Sequence, residues 1–272
     1  MLFQKKPAVS SSRPQRVFIT GASTGIGQAL ARHYAKQNAQ IGLAARRVEP
    51  LRALASELTN ELATDCAVYP LDVRDSEALA RAAQDFMQRF GVPDIVIANA
   101  GVSRGTLTEL KEDVAAFKAI MEINVLGMVH TFQPFIEAMK ASPAKGQLVG
   151  IASVAGIRGL PGAGAYSASK AAVISYLESL RVEMLQYGIA VTTIAPGYIR
   201  TPMTQVNKYK MPFLMDVDVA AEKFAKAIQN KRRFVIIPWR MGVVARIMRL
   251  IPPGLWDRIT KNAPHKPRIN VE

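Results

Sequence analysis

The sequence predicts an α/β fold built on a doubly wound parallel sheet of seven strands with helices on both faces. Short, almost continuously apolar segments alternate with longer segments in which apolar residues recur at helical spacing. Strands that are apolar on both sides are typical of parallel sheets covered by helices on both faces. No repeat or low-complexity linker interrupts the alternation, and 272 residues suit one large domain.

The predicted elements follow one another in a regular order. Segments with strand composition are 16–21, 39–46, 67–73, 94–101, 147–153, 190–197 and 233–238. Predicted helices are 28–38, 49–63, 75–90, about 111–140, 166–187 and 218–230. Asp75 or Ser76 is suited to cap the third helix, and Pro134 predicts a break or kink in the fourth helical region. In such sheets ligands bind beyond the carboxyl ends of the strands, so the residues there are the site candidates.

A glycine-rich loop, TGASTGIG at 20–27, follows the first predicted strand and directly precedes a helix. Its glycines permit a tight turn and a close approach of the backbone to a pyrophosphate, and a helix N-terminus offers free N–H groups to an anion. Glycines also turn and cap chains without binding a ligand, so the loop alone leaves both interpretations open. The strand–loop–helix context favours dinucleotide binding.

The spacing T-G-x-x-x-G-x-G resembles that of the short-chain dehydrogenase/reductase family, and further motifs of this family follow in order. LDV at 71–73 resembles its adenine-site motif, and NAG at 99–101 its fourth-strand motif. PG at 196–197, with IRT at 199–201, resembles the loop that closes over nicotinamide. The catalytic residues of the family match Asn124, Ser153, Tyr166 and Lys170. The resemblance runs from about Arg16 to Pro238 and implies a Rossmann-type fold with a nicotinamide cofactor.

The resemblance also implies a set of cofactor contacts, with Asp72 on the adenine amino group. The implied residues are Gly21, Ser23, Thr24, Gly25, Ile26, Gly27, Arg46, Arg47, Asp72, Val73, Asn99, Ala100, Gly101, Tyr166, Lys170, Pro196, Gly197, Ile199 and Thr201.

The end of the second strand predicts NADP(H) rather than NAD(H). An acidic residue there would bind the ribose 2′-hydroxyl, whereas this chain has Ala45 followed by Arg46 and Arg47. Guanidinium groups bind phosphate bidentately, and we expect Arg46 to make the contact and Arg47 to point outward. Thr24 stands where many NADP-using relatives have a basic residue, and Ser23 and Thr24 offer hydroxyls instead. The alternative is a solvated pair of arginines at a helix start.

Tyr166 and Lys170 lie one helical turn apart in AYSASK, residues 165–170. A free phenol has a pKa of about 10, and a nearby ammonium group lowers it. We therefore predict that Tyr166 is the general acid in reduction and the general base in oxidation. The resemblance implies that Lys170 also holds the nicotinamide ribose and that Ser153 binds the substrate carbonyl oxygen. It further implies that Asn124 kinks its helix and holds a water behind Lys170.

Other candidate residues carry weaker signals. His33, His130 and His265 form no ligand-like pattern with cysteines or carboxylates, so no metal is expected. Met203, Met211 and Met215 suit either a mobile lid over an apolar substrate or ordinary packing. Arg158 and residues 159–164 are expected to line the opposite wall of the substrate site.

The chain divides into three predicted parts: a flexible N-terminal arm at 1–15, a Rossmann-fold catalytic domain at 16–240 and a basic amphipathic extension at 241–272. The arm lacks the apolar core of a signal peptide. The single cysteine, Cys66, allows no internal disulfide, is interpreted as structural, and favours a cytoplasmic location.

The net charge of +14 is concentrated at the C-terminus, where ten Lys and Arg residues from Lys231 onward face only Asp257 and Glu272. Residues 240–272 suit packing on the body or on a second subunit, or contact with an anionic membrane surface at the inner face. Nucleic acid is not expected, because no platform for it is visible.

The sequence thus predicts an NADP(H)-dependent oxidoreductase acting on the carbonyl/alcohol pair of a largely apolar small molecule, as a homodimer or homotetramer. The alternatives are a non-catalytic dinucleotide-binding regulator or scaffold, and a peripheral membrane reductase of lipid-like carbonyls. The substrate and the physiological direction do not follow from the sequence.

Overall fold

The computed structural model describes residues 13–268 of the chain. The strands are β1 (Arg16–Thr20), β2 (Gln40–Ala45), β3 (Cys66–Pro70), β4 (Ile95–Ala98), β5 (Gln147–Ile151), β6 (Ala190–Pro196), β7 (Ile199–Arg200), β8 (Met215–Asp216) and β9 (Phe234–Ile237). The α-helices are α1 (Gly25–Ala35), α2 (Val48–Leu62), α3 (Ser76–Phe90), α4 (Asp113–Met121), α5 (Gly127–Ala141), α6 (Gly164–Leu185), α7 (Pro202–Gln205), α8 (Val217–Gln229), α9 (Trp239–Leu250) and α10 (Pro253–Thr260).

Seven parallel strands form the main sheet in the order β3-β2-β1-β4-β5-β6-β9, which confirms the predicted Rossmann-type doubly wound fold. The two short strands β7 and β8 pair separately. The chain winds outward from β1 to one edge, returns to the centre at β4 and winds outward to the other edge. The carboxyl ends of β1 and β4 therefore flank the point where the strand order reverses, which is where such sheets bind ligands.

Helices cover both faces of the sheet. On one face, α1, α2 and α8 bury Leu30, Leu54 and Phe224 against the strands. On the other face, α3, α5 and α6 bury Phe86, Phe135 and other apolar side chains. The central strands β1, β4, β5 and β6 therefore have helices packed on both sides, which is why their sequences are apolar without alternation.

The fourth helical region is interrupted around Asn124 and not at Pro134, so the predicted break at Pro134 is wrong. A π-helical segment, Glu122–Leu126, joins α4 to α5, and Pro134 lies inside the continuous α5. Phe132 and Phe135 are fully buried on either side of the proline. We attribute the continuity of α5 to this packing, which offsets the single backbone hydrogen bond that a proline removes.

The stretch 113–141 that contains this interruption is also the one helical stretch within residues 13–268 with the length and composition of a membrane span. Its mean hydropathy is 1.2. Length and composition are weak indicators, because the core helix of a globular domain has the same features. Phe132, Phe135 and Met139 are fully buried in the core, so we assign the stretch to the fold.

The described ends of the chain are attached to the body. Residues 1–12, most of the predicted arm, and residues 269–272 lie outside the described residues. Arg13, which we placed in the arm, donates hydrogen bonds to both carboxylate oxygens of Asp94 at 2.8 Å. The carbonyl oxygen of Gln15 accepts from the Gln40 N–H at 2.8 Å. The ordered body therefore includes residues 13–15.

The C-terminal extension packs on the body through α9, which buries Met241 and Ala245. Pro252 follows the end of α9, and a second helix, α10, begins directly at Pro253, because proline is well suited to a first helical turn. Arg158 donates to the carbonyl oxygens of Met248 and Ile251 at 2.5 and 2.6 Å and lies 4.6 Å from the Trp256 ring centroid.

We predict that Gly156→Ala destabilises the fold. A Cβ at Gly156 would lie 2.6 Å from the carbonyl oxygen of Lys170, where the 3-10 turn Val154–Gly156 packs on α6. Overpacking of this kind costs about 1–3 kcal/mol, to be measured by urea unfolding. Gly164→Ala is the control, because a Cβ there has no heavy atom within 4 Å. Equal stability of the two variants would contradict the tight packing.

Candidate active site

A cleft of about 250 Å³ lies at the carboxyl ends of the central strands. It is lined by almost all the predicted site residues: Gly21, Ser23, Thr24, Gly25, Ile26, Arg46, Arg47, Asp72, Val73, Asn99, Ala100, Gly101, Ser153, Tyr166, Lys170, Pro196, Gly197, Ile199 and Thr201. Gly27 and Asn124 are predicted site residues that do not line it, and each supports the cleft from behind.

The glycine loop is held to the end of β4 by Asn99. The Asn99 amide donates to the carbonyl oxygens of Thr20 and Gly21, both at 3.1 Å. Gly21 has φ +67°, and a Cβ there would lie 2.7 Å from the Ala100 Cα. A Cβ at Gly27 would lie 2.6 Å from the Asn99 side-chain nitrogen. Gly27 is therefore needed for close packing of α1 against the loop.

The start of α1 has the features of an anion site. Thr24, the residue before the helix, makes no side-chain capping bond, and the first turn has no acidic residue. The first N–H groups of a helix have no partner within the helix and carry the positive end of its dipole. Because Thr24, Gly25 and Ile26 line the cleft, the residues present fit the pyrophosphate of a dinucleotide.

Arg47 lies over this loop, so the expectation that it points outward is wrong. Its guanidinium donates to the Thr24 hydroxyl at 2.9 Å and to the Ser23 hydroxyl at 3.4 Å. Arg47 occupies the extended position just before α2, which directs its side chain back to the glycine loop. Arg46 lies on the same edge of the cleft, with its guanidinium 4.0 Å from the Asp72 carboxylate.

Asp72 already has a strong partner within the chain. It accepts hydrogen bonds from the Arg74 backbone N–H at 2.9 Å and from the Arg74 guanidinium at 2.7 Å. Partial burial alone would raise the pKa of Asp72, but the hydrogen bonds from Arg74 outweigh it and lower the pKa. Asp72 is therefore a carboxylate at neutral pH.

Tyr166 and Lys170 occupy the cleft side of α6. The Lys170 ammonium is buried, donates to the carbonyl oxygen of Ile151 at 2.9 Å and lies 5.8 Å from the centroid of the Tyr166 ring. Burial lowers the pKa of Lys170 to about 8, so most of it is protonated at neutral pH.

The pKa of Tyr166 is raised, whereas we expected Lys170 to lower it. Burial is the larger cause, and a hydrogen bond with Ser153 acts in the opposite direction. The prediction considered the charge of Lys170 but not the loss of water around the phenol, which disfavours phenolate.

Ser153 lies two residues beyond β5, at the start of a 3-10 turn. Its hydroxyl accepts from the Ala155 N–H at 3.1 Å, and its interaction with the phenol lowers the pKa of Tyr166 against the larger effect of burial. Two hydroxyl groups thus adjoin each other in the cleft, next to a buried ammonium group. This cluster can hold an oxygen atom of a ligand and exchange a proton with it.

Asn124 connects three elements behind the cleft. Its side chain is 1% exposed; the oxygen accepts from the Val102 N–H at 2.8 Å, and the nitrogen donates to the Val102 carbonyl and the Ser169 hydroxyl. The Ser169 hydroxyl in turn donates to the Tyr166 carbonyl. The π-helical segment places Asn124 so that it fixes α6 against the chain after β4.

The sequence missed several residues of the cleft and misplaced others. Leu71, Val102, Ile123 and Ile151 also line it, but apolar residues at strand ends look like core residues in a sequence. Tyr209 does not line the cleft but lies close enough to be affected by Tyr166: burial, followed by Tyr198 and Tyr166, raises the pKa of Tyr209 to about 12. No spacing pattern indicated it.

The predicted walls are only partly found. Met203 lines the cleft, whereas Met215 packs against the core and Met211 lies against Asn207. Arg158 is not in the lining, because its guanidinium is bound to the end of α9.

Cys66 is half-buried, and burial raises the pKa of its thiol to about 11, which suits a structural residue. Within residues 13–268, no three His, Cys, Asp or Glu side chains are grouped as metal ligands.

The fold and the cleft define a class: a dinucleotide-binding protein with an acid–base cluster at its ligand edge. Residues 15–211 match the family described as short chain dehydrogenase. The chain therefore belongs to the short-chain dehydrogenase/reductase family and is an oxidoreductase of that family.

Similar proteins are found among sequences and structures. An uncharacterized oxidoreductase of Myxococcus xanthus is 36% identical over 241 residues, which are 88% of this chain and 93% of the relative. An alcohol dehydrogenase from Thermococcus sibiricus, solved with 5-hydroxy-NADP, is 27% identical with a TM-score of 0.74, covering 83% of this chain and 96% of the other. A short-chain dehydrogenase from Burkholderia phymatum, solved with NAD, has a TM-score of 0.79 at 21% identity, covering 94% and 98%.

Proposed function

We propose that the protein is an NADP(H)-dependent oxidoreductase that interconverts a carbonyl and an alcohol on a largely apolar small molecule. The observation that carries the proposal is that Tyr166, Ser153 and the buried Lys170 line one cleft, with the Lys170 ammonium 5.8 Å from the Tyr166 ring centroid. This cluster shares one cleft with the glycine loop and the start of α1.

Each residue of the cluster has a distinct role. Bound nicotinamide supplies hydride in reduction and accepts it in oxidation. Ser153 holds the carbonyl oxygen of the substrate, and Tyr166 donates its phenolic proton to that oxygen during reduction. The Lys170 ammonium and the Ser153 hydroxyl then stabilise the phenolate that is left on Tyr166. In oxidation the phenolate takes the proton back from the alcohol.

Asn124 is a positioning residue in this proposal. Its amide joins Val102 to Ser169, one turn of helix away from Tyr166. Without this connection α6 would lose a fixed contact with the chain after β4. The water that the resemblance implies behind Lys170 is part of the proposal, as a path for protons to solvent.

NADP(H) is favoured over NAD(H) by the charge at the adenosine end. No acidic residue directly follows β2. Arg46 and Arg47 line the cleft, and the Arg47 guanidinium donates hydrogen bonds to the hydroxyls of Ser23 and Thr24 in the glycine loop. A 2′-phosphate would place its charge against both guanidinium groups. Asp72 and Val73 would adjoin the adenine, and Ile199 and Thr201 the nicotinamide.

The non-catalytic regulator or scaffold is the rival proposal. A protein that only binds the dinucleotide has no need for a buried lysine next to two hydroxyls. Among the described residues the Lys170 ammonium has no carboxylate at ion-pair distance. Burying such a group is costly, and this cost is understandable if the charge serves a reaction.

We also propose a homo-oligomer, dimer or tetramer, formed through the long helices. Exposed apolar side chains lie on α4 and α6, including Val114, Phe117, Val182 and Leu185. Apolar surface of this kind is typical of subunit interfaces.

A second candidate is a cytoplasmic enzyme that docks on an anionic membrane surface and reduces lipid-like carbonyls. The observation that favours it is an exposed apolar stripe on α9 with helical spacing. Its members are Trp239, Val243, Ile247 and Leu250, with exposed fractions of 71, 43, 57 and 81%. The exposed cations Arg240, Arg246 and Arg249 flank the stripe, and α10 adds Leu255 and Ile259. An apolar face bordered by arginines suits anionic lipid headgroups.

Tyr166→Phe tests the reaction. We expect kcat to fall by about 10²–10⁴-fold, the usual contribution of general acid–base catalysis, with NADPH affinity unchanged. Substrates come from a screen of ketones, aldehydes and alcohols followed by NADPH absorbance. Tyr176→Phe, on the same helix outside the cleft, is the control. A fully active Tyr166→Phe enzyme rejects the proposal, and silence of the wild type across the panel with cofactor bound supports the scaffold.

Arg47→Ala tests the cofactor preference. Loss of a charge-assisted hydrogen bond is worth about 1.5–3 kcal/mol, so NADPH affinity should fall roughly 10- to 100-fold while NADH affinity stays the same. Both are measured by titrating cofactor fluorescence, with Arg52→Ala on the exposed side of α2 as control. Tighter binding of NADH than of NADPH by the wild type would show the preference to be wrong.

The double variant Ile247→Glu, Leu250→Glu tests membrane docking. We expect the wild type to sediment with vesicles of phosphatidylcholine and phosphatidylglycerol. The variant should bind at least about tenfold more weakly, because each apolar side chain contributes about 1.5 kcal/mol or more when buried. Val219→Glu, at an exposed apolar position on α8, should bind like the wild type. Failure of the wild type to bind these vesicles excludes the second candidate.

A further inference from the structure

The last described residues of the chain, 261–268, return from α10 to the edge of the active-site cleft. Lys266 lies over Tyr166, with its ammonium nitrogen 5.6 Å from the ring centroid. The distance is similar to that of Lys170, whose ammonium lies 5.8 Å from the same centroid. A side chain from the C-terminal extension thus reaches the residue that we propose as the acid–base catalyst.

Two glycines make room for this segment. The Gly105 N–H donates to the carbonyl oxygen of Pro267 at 3.0 Å, and a Cβ at Gly105 would overlap the carbonyl oxygen of Lys266. A Cβ at Gly162 would likewise collide with the ring of His265. The Gly105 and Gly162 loops are themselves joined, because the Thr106 N–H donates to the Gly162 carbonyl oxygen at 3.1 Å.

Arg268 fastens the end of the segment to α4. Its guanidinium forms a bidentate pair with Asp113, at 2.9 and 3.0 Å, and a third bond with Glu112 at 3.1 Å. The Asp113 side chain is 2% exposed and also accepts from the Leu107 N–H. A buried bidentate pair of this kind has a defined geometry, so Lys266 is held between fixed points.

Lys266 has no partner of opposite charge in the described chain. Within residues 13–268, its ammonium has neither a hydrogen-bond acceptor nor a carboxylate at ion-pair distance. Partial burial lowers the pKa of Lys266 to about 8, with no compensating charge. The nearby carboxylates Glu112 and Asp113 are occupied by Arg268. Among the described residues that line the cleft, the one carboxylate is Asp72, at the end proposed for adenosine.

We infer that Lys266 is a specificity-determining residue that selects carbonyl substrates carrying a carboxylate near the reacting group. A partly buried ammonium group without a partner gains most from a ligand that supplies the missing negative charge. The apolar lining from Val102, Ile123 and Met203 receives the rest of the molecule. The inference deepens the proposed function and rests on it for the reaction, but not for the binding.

The test compares a carboxylate with its neutral ester. The probes are 4-carboxybenzaldehyde and methyl 4-formylbenzoate, titrated by calorimetry into protein saturated with oxidised NADP, so that no turnover occurs. We expect the wild type to bind the acid more tightly than the ester. Lys266→Met should lower the affinity for the acid roughly 10- to 100-fold, as expected for loss of a charge-assisted hydrogen bond. Its affinity for the ester should stay the same.

Matched variants separate a charge effect from a structural one. Lys266→Arg should restore most of the preference for the acid, and Lys261→Met, at an exposed lysine of the same segment, should keep it fully. Equal affinity of the wild type for acid and ester, or binding of neither, overturns the inference. An equal loss of affinity for both probes in Lys266→Met also overturns the inference.

Failure of the proposed function would look different. Tyr166→Phe should keep the preference for the acid in calorimetry even though turnover is lost. If Tyr166→Phe is fully active while Lys266→Met loses the acid, the proposed catalyst is wrong and the binding inference stands. If Tyr166→Phe is inactive while Lys266→Met binds both probes like the wild type, the proposed catalyst stands and the binding inference is wrong.

Discussion

The hydrogen bond from the Lys170 ammonium to the Ile151 carbonyl joins the long helix α6 to the end of the central strand β5. Ser153 lies two residues beyond Ile151, and Tyr166 lies one turn before Lys170, so this bond sets the distance between the two hydroxyls. Behind it, Asn124 ties the same helix to Val102 and widens its own helix by a π-helical turn. The glycine contact at Gly156 brings the loop after Ser153 onto the backbone of Lys170. The chemistry of the cleft therefore depends on how closely one helix approaches one strand.

Burial and charge act against each other at this centre. Burial lowers the pKa of Lys170 to about 8 and raises that of Tyr166. Both shifts favour the neutral forms, so burial alone opposes a phenolate beside an ammonium group. The interaction with Ser153 lowers the pKa of Tyr166. A positive charge on a bound oxidised ligand would lower this pKa further. The protonation of the cluster is therefore set by what occupies the cleft as well as by the protein.

The sequence predicted the seven-stranded parallel sheet and most of the residues that line the cleft, because both follow from local patterns. Continuous apolar strands identify a parallel sheet, and the motifs around Gly21, Asn99 and Tyr166 lie directly after strands or on one helical face. The failures concern long-range packing. Pro134 remains in a helix because Phe132 and Phe135 are buried on either side, and Arg47 turns inward because the glycine loop, 23 residues earlier, offers hydroxyls. Lys266 reaches Tyr166 from a hundred residues away along the chain, and nothing in the spacing of the tail indicates this contact.

Arg158 has a further consequence for the mechanics of the molecule. Its guanidinium closes the carbonyl end of α9 through Met248 and Ile251 and also stacks against Trp256. The same residue lies five positions after Ser153, on the loop that leads into α6. A displacement of α9 and α10 would therefore be transmitted through Arg158 to the segment that carries Ser153. Any contact that moved the outer face of α9 would in this way also change the position of a hydroxyl group in the cleft.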